Sequence, residues 1–175
     1  MIKTVLYRVK WFFLLYFLQV ILFNHIHIFG YATPMTYIFF FMMLPSNTRH
    51  WIYVALGFAM GFLIDLFTNT PGVGASAVCI TGFCTPWLLK LFAPSGYAFE
   101  EPFEPSSRTM EWLPFIRFTV AMALVNTFAY YLIESFSFFN IGFLLLSTLL
   151  STLITVVFVC GIEFLKNGTS KKKAP

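Results

Sequence analysis

Charged residues are scarce in this sequence. Only 10% of its 175 residues are charged, whereas 59% are hydrophobic. The mean hydropathy is +0.81, far above that of a water-soluble protein. A soluble domain usually carries about a quarter charged residues, so the composition excludes a separate soluble domain. We therefore expect an integral membrane protein surrounded by membrane lipid, with no nucleic-acid partner.

Recognisable catalytic motifs are also missing. The chain has no Gly-x-Ser-x-Gly, no His-Glu-x-x-His and no P-loop, the patterns that place a nucleophile, metal ligands or phosphate-binding backbone. Its three cysteines lie within apolar runs, where they act as small packing residues rather than as a disulfide framework. His25 and His27 could supply only two metal ligands, fewer than a metal site needs. We therefore interpret them as polar residues at the membrane interface. We expect no enzymatic activity, no metal and no cofactor.

Long apolar runs dominate the sequence instead. A transmembrane helix needs about 17–25 mostly apolar residues. We predict an all-α membrane protein with a single domain, 1–175, and six transmembrane helices. The predicted spans are residues 5–23, 31–44, 51–67, 73–92, 113–133 and 138–165, with a connecting loop at 93–111. The second span is the shortest, and it fits either a steep helix in a thinned bilayer or a partly re-entrant segment.

Basic residues predict the orientation of these spans. Lys and Arg concentrate in the cytoplasmic loops of membrane proteins. If both termini are cytoplasmic, all 11 basic residues fall on that side, and the outer connections contain none. We therefore predict that both termini are cytoplasmic.

The loop 93–111 is rich in proline and acidic residues. Proline disfavours regular structure, so we expect a solvated linker between two three-helix halves, with Tyr97, Phe99 and Phe103 able to enter the membrane interface. The alternative is a docking strip for a basic cytoplasmic partner. The sequence leaves both interpretations open.

Asp65 is the acidic residue least expected in an apolar run. Gly57, Gly61 and Asp65 stand at i, i+4 and i+8, so a helix places them on one face. A Gly-x-x-x-Gly pair lets another helix approach closely, and a carboxylate within a membrane segment needs a partner. Two roles are open for Asp65. It either accepts hydrogen bonds from backbone N–H groups near Val73–Ala75 or contacts a ligand or partner.

A second polar stripe follows in the fifth predicted helix. Asn126, Tyr130 and Glu134 have the same spacing, and an unpaired amide near mid-membrane is costly, so Asn126 should point into the bundle. One hypothesis is that these three residues and Asp65 line an outward-opening polar crevice between the third and fifth helices. The alternative is that Asp65 and Glu134 are two separate interfacial acids.

Small hydroxylated residues repeat along the sixth predicted helix. Ser147, Ser151 and Thr155 are four residues apart, which is typical of a close-packing seam in membranes. This seam either faces the inside of the bundle or contacts a helix of another protein.

These features resemble MreD, the family of bacterial rod shape-determining membrane proteins. The resemblance rests on Gly57-x-x-x-Gly61-x-x-x-Asp65-Leu66-Phe67, followed by a polar turn and a glycine, and on QVILFNHIHIFGYATP over Gln19–Pro34 with Leu44-Pro45 beyond it. It covers most of the chain and is sharpest over residues 19–75. The C-terminal half matches mainly in its number of spans and its basic tail.

The resemblance implies a non-enzymatic scaffold of the cell-wall elongation complex in the bacterial inner membrane. Such a protein helps determine and regulate cell shape through helix–helix contacts. The implied partners are MreC, RodA and penicillin-binding protein 2 (PBP2), with the filament protein MreB reached through the complex. A homo-oligomer is also compatible with the sequence. On this hypothesis the glycine face of the third helix and the hydroxyl seam of the sixth set the contacts with partner helices.

The resemblance also implies a fold similar to the membrane substrate-binding subunits of energy-coupling-factor vitamin transporters. That similarity supplies the alternative function, a substrate-binding subunit of a small-molecule transporter. This subunit would bind its ligand in the crevice between Asp65 and Glu134.

Overall fold

The structure, a computed structural model, describes residues 2–23, 32–93, 102–135 and 141–171. Five helices in these ranges are long and apolar enough to cross a membrane. They are α1 (Ile2–Ile21), α3 (His50–Thr68), α4 (Val73–Phe92), α5 (Trp112–Ser135) and α6 (Ile141–Lys171). A 3₁₀ turn, Thr36–Ile38, and the single-turn helix α2, Phe39–Met42, lie between α1 and α3. The expected all-α membrane architecture is confirmed, whereas His25 and His27 lie outside the described residues.

The predicted second span does not form a membrane-spanning helix. Residues 32–44, called the core segment below, contain only three 3₁₀ and four α-helical residues. Seven helical residues rise about 10 Å, against a hydrocarbon layer about 30 Å thick. Every residue from Met35 to Leu44 is at most 5% exposed, so this stretch lies inside the bundle. A segment that is mostly not α-helical leaves backbone groups unpaired, and these need cover by protein at membrane depth.

Gln19 of α1 holds the beginning of the core segment. Its side-chain amide donates to the backbone oxygen of Pro34 at 2.9 Å, and its side-chain oxygen accepts from the backbone N–H of Thr36 at 3.2 Å. Backbone groups outside a helix have no water to bind at this depth and need protein partners. One glutamine, only 2% exposed, supplies a donor and an acceptor.

The helices α3 to α6 pack in chain order, so α4 lies between α3 and α5. The α3–α4 contact is the closest, because three glycines remove side chains from it. An added Cβ at Gly61 would lie 2.6 Å from the Cα of Ala75, and one at Gly57 would lie 2.8 Å from the backbone oxygen of Val78. One at Gly82 would lie 2.6 Å from the backbone oxygen of Tyr53. The two backbones are therefore in direct contact.

Four parts of the chain meet at one end of the bundle, called the basic end below. They are the N-terminal part of α1, the turn before α3, residues 102–111 and the C-terminal part of α6. Arg8 of α1 forms an ion pair with Glu104 at 2.6 Å. The backbone N–H of Ser46 donates to the backbone oxygen of Phe103 at 2.8 Å. The start of α1 and the end of α6 thus lie at the same end of the protein.

The expected solvated linker is wrong for residues 102–110. Phe103, Ser107 and Met110 are 8%, 7% and 0% exposed. This stretch packs against the basic end of the bundle, where its apolar side chains are buried. Residues 94–101, with Tyr97 and Phe99, lie outside the described residues.

Replacing Gly61 by alanine should lower the melting temperature in detergent. The new methyl group overlaps backbone atoms of Ala75, and overpacking of this kind costs about 1–3 kcal/mol. Gly161→Ala is the matched control, because a Cβ there meets nothing within 4 Å. Equal melting temperatures for the two variants would contradict direct backbone contact between α3 and α4.

Candidate functional site

Asp65 caps the N-terminus of α4. Its Oδ1 accepts from the backbone N–H of Gly74 at 2.8 Å, and its Oδ2 accepts from those of Gly72 at 3.0 Å and Ala75 at 2.9 Å. The first N–H groups of a helix have no partner within the helix, and the helix dipole favours a negative charge beside them. The carboxylate is 4% exposed. This geometry matches the backbone-capping role considered for Asp65.

The turn between α3 and α4 brings these groups together. Asn69 and Gly72 both have left-handed backbones, with φ of 56° and 88°. The glycine at the N-cap has no side chain of its own to cap the helix, so the carboxylate comes from the preceding helix. A Cβ at Gly74 would lie 2.5 Å from Oδ1 of Asp65. The glycine at this position therefore leaves the space that the carboxylate occupies.

The glycine face of α3 is occupied within the chain. Gly57, Gly61 and Asp65 all contact α4 or the turn before it. A helix of another protein therefore has no access to this face while α4 is in place.

Asn126 is the centre of a closed polar network. Its side-chain amide donates to the Tyr37 hydroxyl at 2.9 Å and to the Met35 sulfur at 3.0 Å, and its oxygen accepts from the Thr81 hydroxyl at 3.0 Å. Asn126 is fully buried. The amide points into the bundle, as expected, and it joins α5 to α4 and to the core segment.

The four residues of the predicted crevice fall into two groups of contacts. Asn126 is enclosed in its own network, and the Asp65 carboxylate is occupied by backbone donors. Tyr130 is half-buried and interacts with the side chain of Thr70 in the turn, while Glu134 is exposed. The Thr70 hydroxyl also donates to Oδ1 of Asp65 at 3.3 Å, so Asp65 and Tyr130 both contact this residue. The crevice stays a prediction, and α4 lies between α3 and α5.

The hydroxyl seam of α6 faces the inside of the bundle. Ser147, Ser151 and Thr155 are fully buried. Ser151 and Thr155 accept from the backbone N–H groups of Thr33 and Met35 at 3.1 and 2.9 Å. Of the two roles considered for the seam, the geometry matches the internal one, in which α6 holds the core segment.

Glu163 is a polar residue that the sequence interpretation missed. It is fully buried, and its Oε1 accepts from the backbone N–H and hydroxyl of Ser107 at 3.0 and 3.2 Å and from the Asn167 side chain at 3.1 Å. These bonds hold residues 102–110 against α6. The signal was present in the sequence, since Glu163 is a single acid in an apolar run, as Asp65 is.

A cavity of about 660 Å³ lies at the basic end. It is bounded by the N-terminal half of α1, by residues 104–109 and by the end of α6. Its lining consists of Tyr7, Lys10, Trp11, Leu14, Glu104, Ser106, Arg108, Thr109, Lys166 and Asn167. Three of these residues are cationic. This cavity could not be predicted from the sequence, because its walls are far apart in the chain.

Metal-binding geometry is not found in the part of the chain that the structure describes. There, no three His, Cys, Asp or Glu side chains come close enough to hold one ion. Cys79, Cys84 and Cys160 are free thiols within the helices.

No family model, curated protein or solved structure matches this chain. The resemblance to MreD therefore rests on the sequence motifs quoted above. The function has to be argued from the geometry together with that resemblance.

Replacing Asp65 by alanine should destabilise the protein, because three backbone N–H groups lose their acceptor. Each buried donor left unsatisfied costs about 1–3 kcal/mol. Asp65→Asn keeps one acceptor oxygen and should lose less. Thermal unfolding in detergent measures both, with Glu111→Gln as the exposed control. A melting temperature for Asp65→Ala as high as that of the control would disprove the capping role.

Proposed function

We propose that this chain is a non-enzymatic scaffold of the bacterial cell-wall elongation complex, similar to MreD. It would help regulate cell shape by binding helices of partner membrane proteins. The observation that carries the proposal is the filled interior. The core segment occupies the space between the helices, and the polar residues that suggested a site bind groups of the same chain. A protein with a filled interior keeps a fixed outer surface, and such a surface suits the binding of partner helices.

The outer face of α1 is the surface best suited to a partner helix. In the most apolar stretch of α1, 22% of the residues are buried inside the protein. The corresponding share is 33–44% in the other four long helices. Leu6, Phe13 and Phe17 are 68%, 48% and 54% exposed on it. Helices in lipid associate through side-chain packing rather than through the hydrophobic effect. A peripheral helix with one covered face can therefore gain a second neighbour.

The basic end supports the proposed orientation in the bacterial inner membrane. Described cations gather there, in the first turns of α1, in residues 102–111 and at the end of α6. Positive residues favour the cytoplasmic side. We therefore propose that the basic end, and with it both termini, faces the cytoplasm.

The alternative function, a transporter subunit, has less support than the scaffold. A ligand between Asp65 and Glu134 would have to displace three backbone donors from Asp65. No observation on the described residues favours this function over the scaffold. A thermal shift with vitamins or lipid precursors in detergent would be the result that restores it.

The scaffold is tested with photo-cross-linking amino acids placed at Phe13 and Phe17 of α1, in living cells. We expect cross-links to a partner of the elongation complex, with MreC as the first candidate. Phe62 of α3 and Leu153 of α6 are control positions, since both are exposed apolar residues on other faces. Depletion of the protein should round the cells. Cross-links to lipid alone at α1, together with unchanged cell shape after depletion, would refute the proposal.

A further inference from the structure

Exposed tryptophans lie at one end of the bundle. Three of the four tryptophans in the sequence are exposed, and each lies near the basic end. Trp51 is the second residue of α3, Trp112 is the first residue of α5, and Trp87 lies in the last two turns of α4. Their exposed fractions are 64%, 46% and 60%. Because tryptophan concentrates at the level of lipid headgroups, these side chains indicate where the membrane interface meets the protein.

Contacts between α4 and α5 show the depth of Arg117. The Thr85 hydroxyl of α4 donates to Sδ of Met122 in α5 at 3.4 Å, and the two helices run in opposite directions. With a rise of about 1.5 Å per residue, Trp87 lies about 4.5 Å further from the basic end than Arg117. Trp112 lies about 7.5 Å nearer the basic end than Arg117. Arg117 is therefore bracketed in depth by two exposed tryptophans.

Contacts between α3 and α4 show the depth of Arg49 in the same way. A Cβ at Gly82 would lie 2.6 Å from the backbone oxygen of Tyr53. The two helices are antiparallel, so Arg49 lies about 1.5 Å from the level of Trp87, and Trp51 lies about 4.5 Å from that level. Both arginines are therefore at the depth of the tryptophans.

The side chains of Arg49 and Arg117 are available to a molecule outside the protein. Both are exposed. In the part of the chain that the structure describes, neither guanidinium takes part in an ion pair or a side-chain hydrogen bond. A guanidinium carries five N–H donors and has a planar shape that matches phosphate oxygens. Near a helix end, such a long side chain reaches toward the headgroups.

Acidic residues leave this surface positive. Among the described acids, Glu111 is the nearest to Arg117 in the chain, and it stands just before α5 begins, on the water side of Trp112. Asp65 caps α4 at the opposite end of the bundle. The surface at the depth of the tryptophans is therefore complementary in charge to an anionic headgroup.

We propose that Arg49, Trp51, Trp87, Trp112 and Arg117, called the interfacial belt below, bind the headgroups of anionic phospholipids. The arginines bind phosphate oxygens, and the tryptophan rings lie among the glycerol and carbonyl groups. The belt is carried by α3, α4 and α5, so these lipids leave the outer face of α1 open to a partner helix. This inference does not depend on the scaffold function.

The exposed tryptophans are the reporters in a test with purified protein in lipid vesicles. Bromine atoms on an acyl chain quench tryptophan fluorescence at short range. Phosphatidylcholine brominated near the carbonyl end of its chains should quench more strongly than phosphatidylcholine brominated near the methyl end. Unbrominated phosphatidylglycerol should then restore the fluorescence at a lower mole fraction than unbrominated phosphatidylcholine does.

Arg117→Gln should lower the preference for phosphatidylglycerol about fivefold, because each cation near a lipid surface contributes about this factor. Arg117→Lys keeps the charge and should retain most of the preference. Lys3→Gln is the matched control, because it removes the same charge from an exposed residue of α1 outside the belt. The melting temperature should stay unchanged in all three variants, since both side chains are exposed.

Three results would overturn the proposal. Stronger quenching by bromine near the methyl end would place the tryptophans in the hydrocarbon interior. Equal recovery with phosphatidylglycerol and phosphatidylcholine would exclude recognition of the anionic headgroup. An equal loss of preference in Arg117→Gln and Lys3→Gln would show attraction to net charge rather than binding at the belt.

Discussion

The structure depends on one constraint, which is that backbone groups inside an apolar bundle must bind protein. The core segment is too short and too irregular to satisfy its own backbone. Gln19 on one side, and Ser151 and Thr155 on the other, supply the missing donors and acceptors. Each unsatisfied group in a membrane interior costs several kcal/mol. Polar side chains in α1 and α6 are therefore required by the segment between them.

The same constraint explains the two buried acids. Asp65 satisfies the first N–H groups of α4, and Glu163 satisfies the backbone N–H and hydroxyl of Ser107. Each acid lies near one end of the bundle, where a chain reversal exposes backbone groups. In the described residues, these contacts cover the backbone groups at both chain reversals, and the outer faces of the long helices are apolar.

Several features could be predicted from the sequence because they depend on neighbouring residues in the chain. The spacing of Gly57, Gly61 and Asp65 on one helix predicted close packing, and a cap on the next helix was one of the two roles considered for Asp65. The depth of Asn126 in an apolar run predicted that its amide points inward. The core segment could not be predicted in this way. Its apolar composition fits a short span as well as a buried strip, and only the surrounding helices distinguish the two.

By itself, the sequence determined that the chain is an all-α membrane protein, because hydropathy over about 20 residues is enough to define a span. It also determined which residues share a helix face, because that depends on the helical repeat. The tertiary structure decided which neighbour each face meets. It assigned the glycine face to α4 and the hydroxyl seam to the core segment. It also formed the cavity from Lys10, Arg108 and Lys166. These outcomes depend on contacts between residues far apart in the chain, which local spacing does not encode.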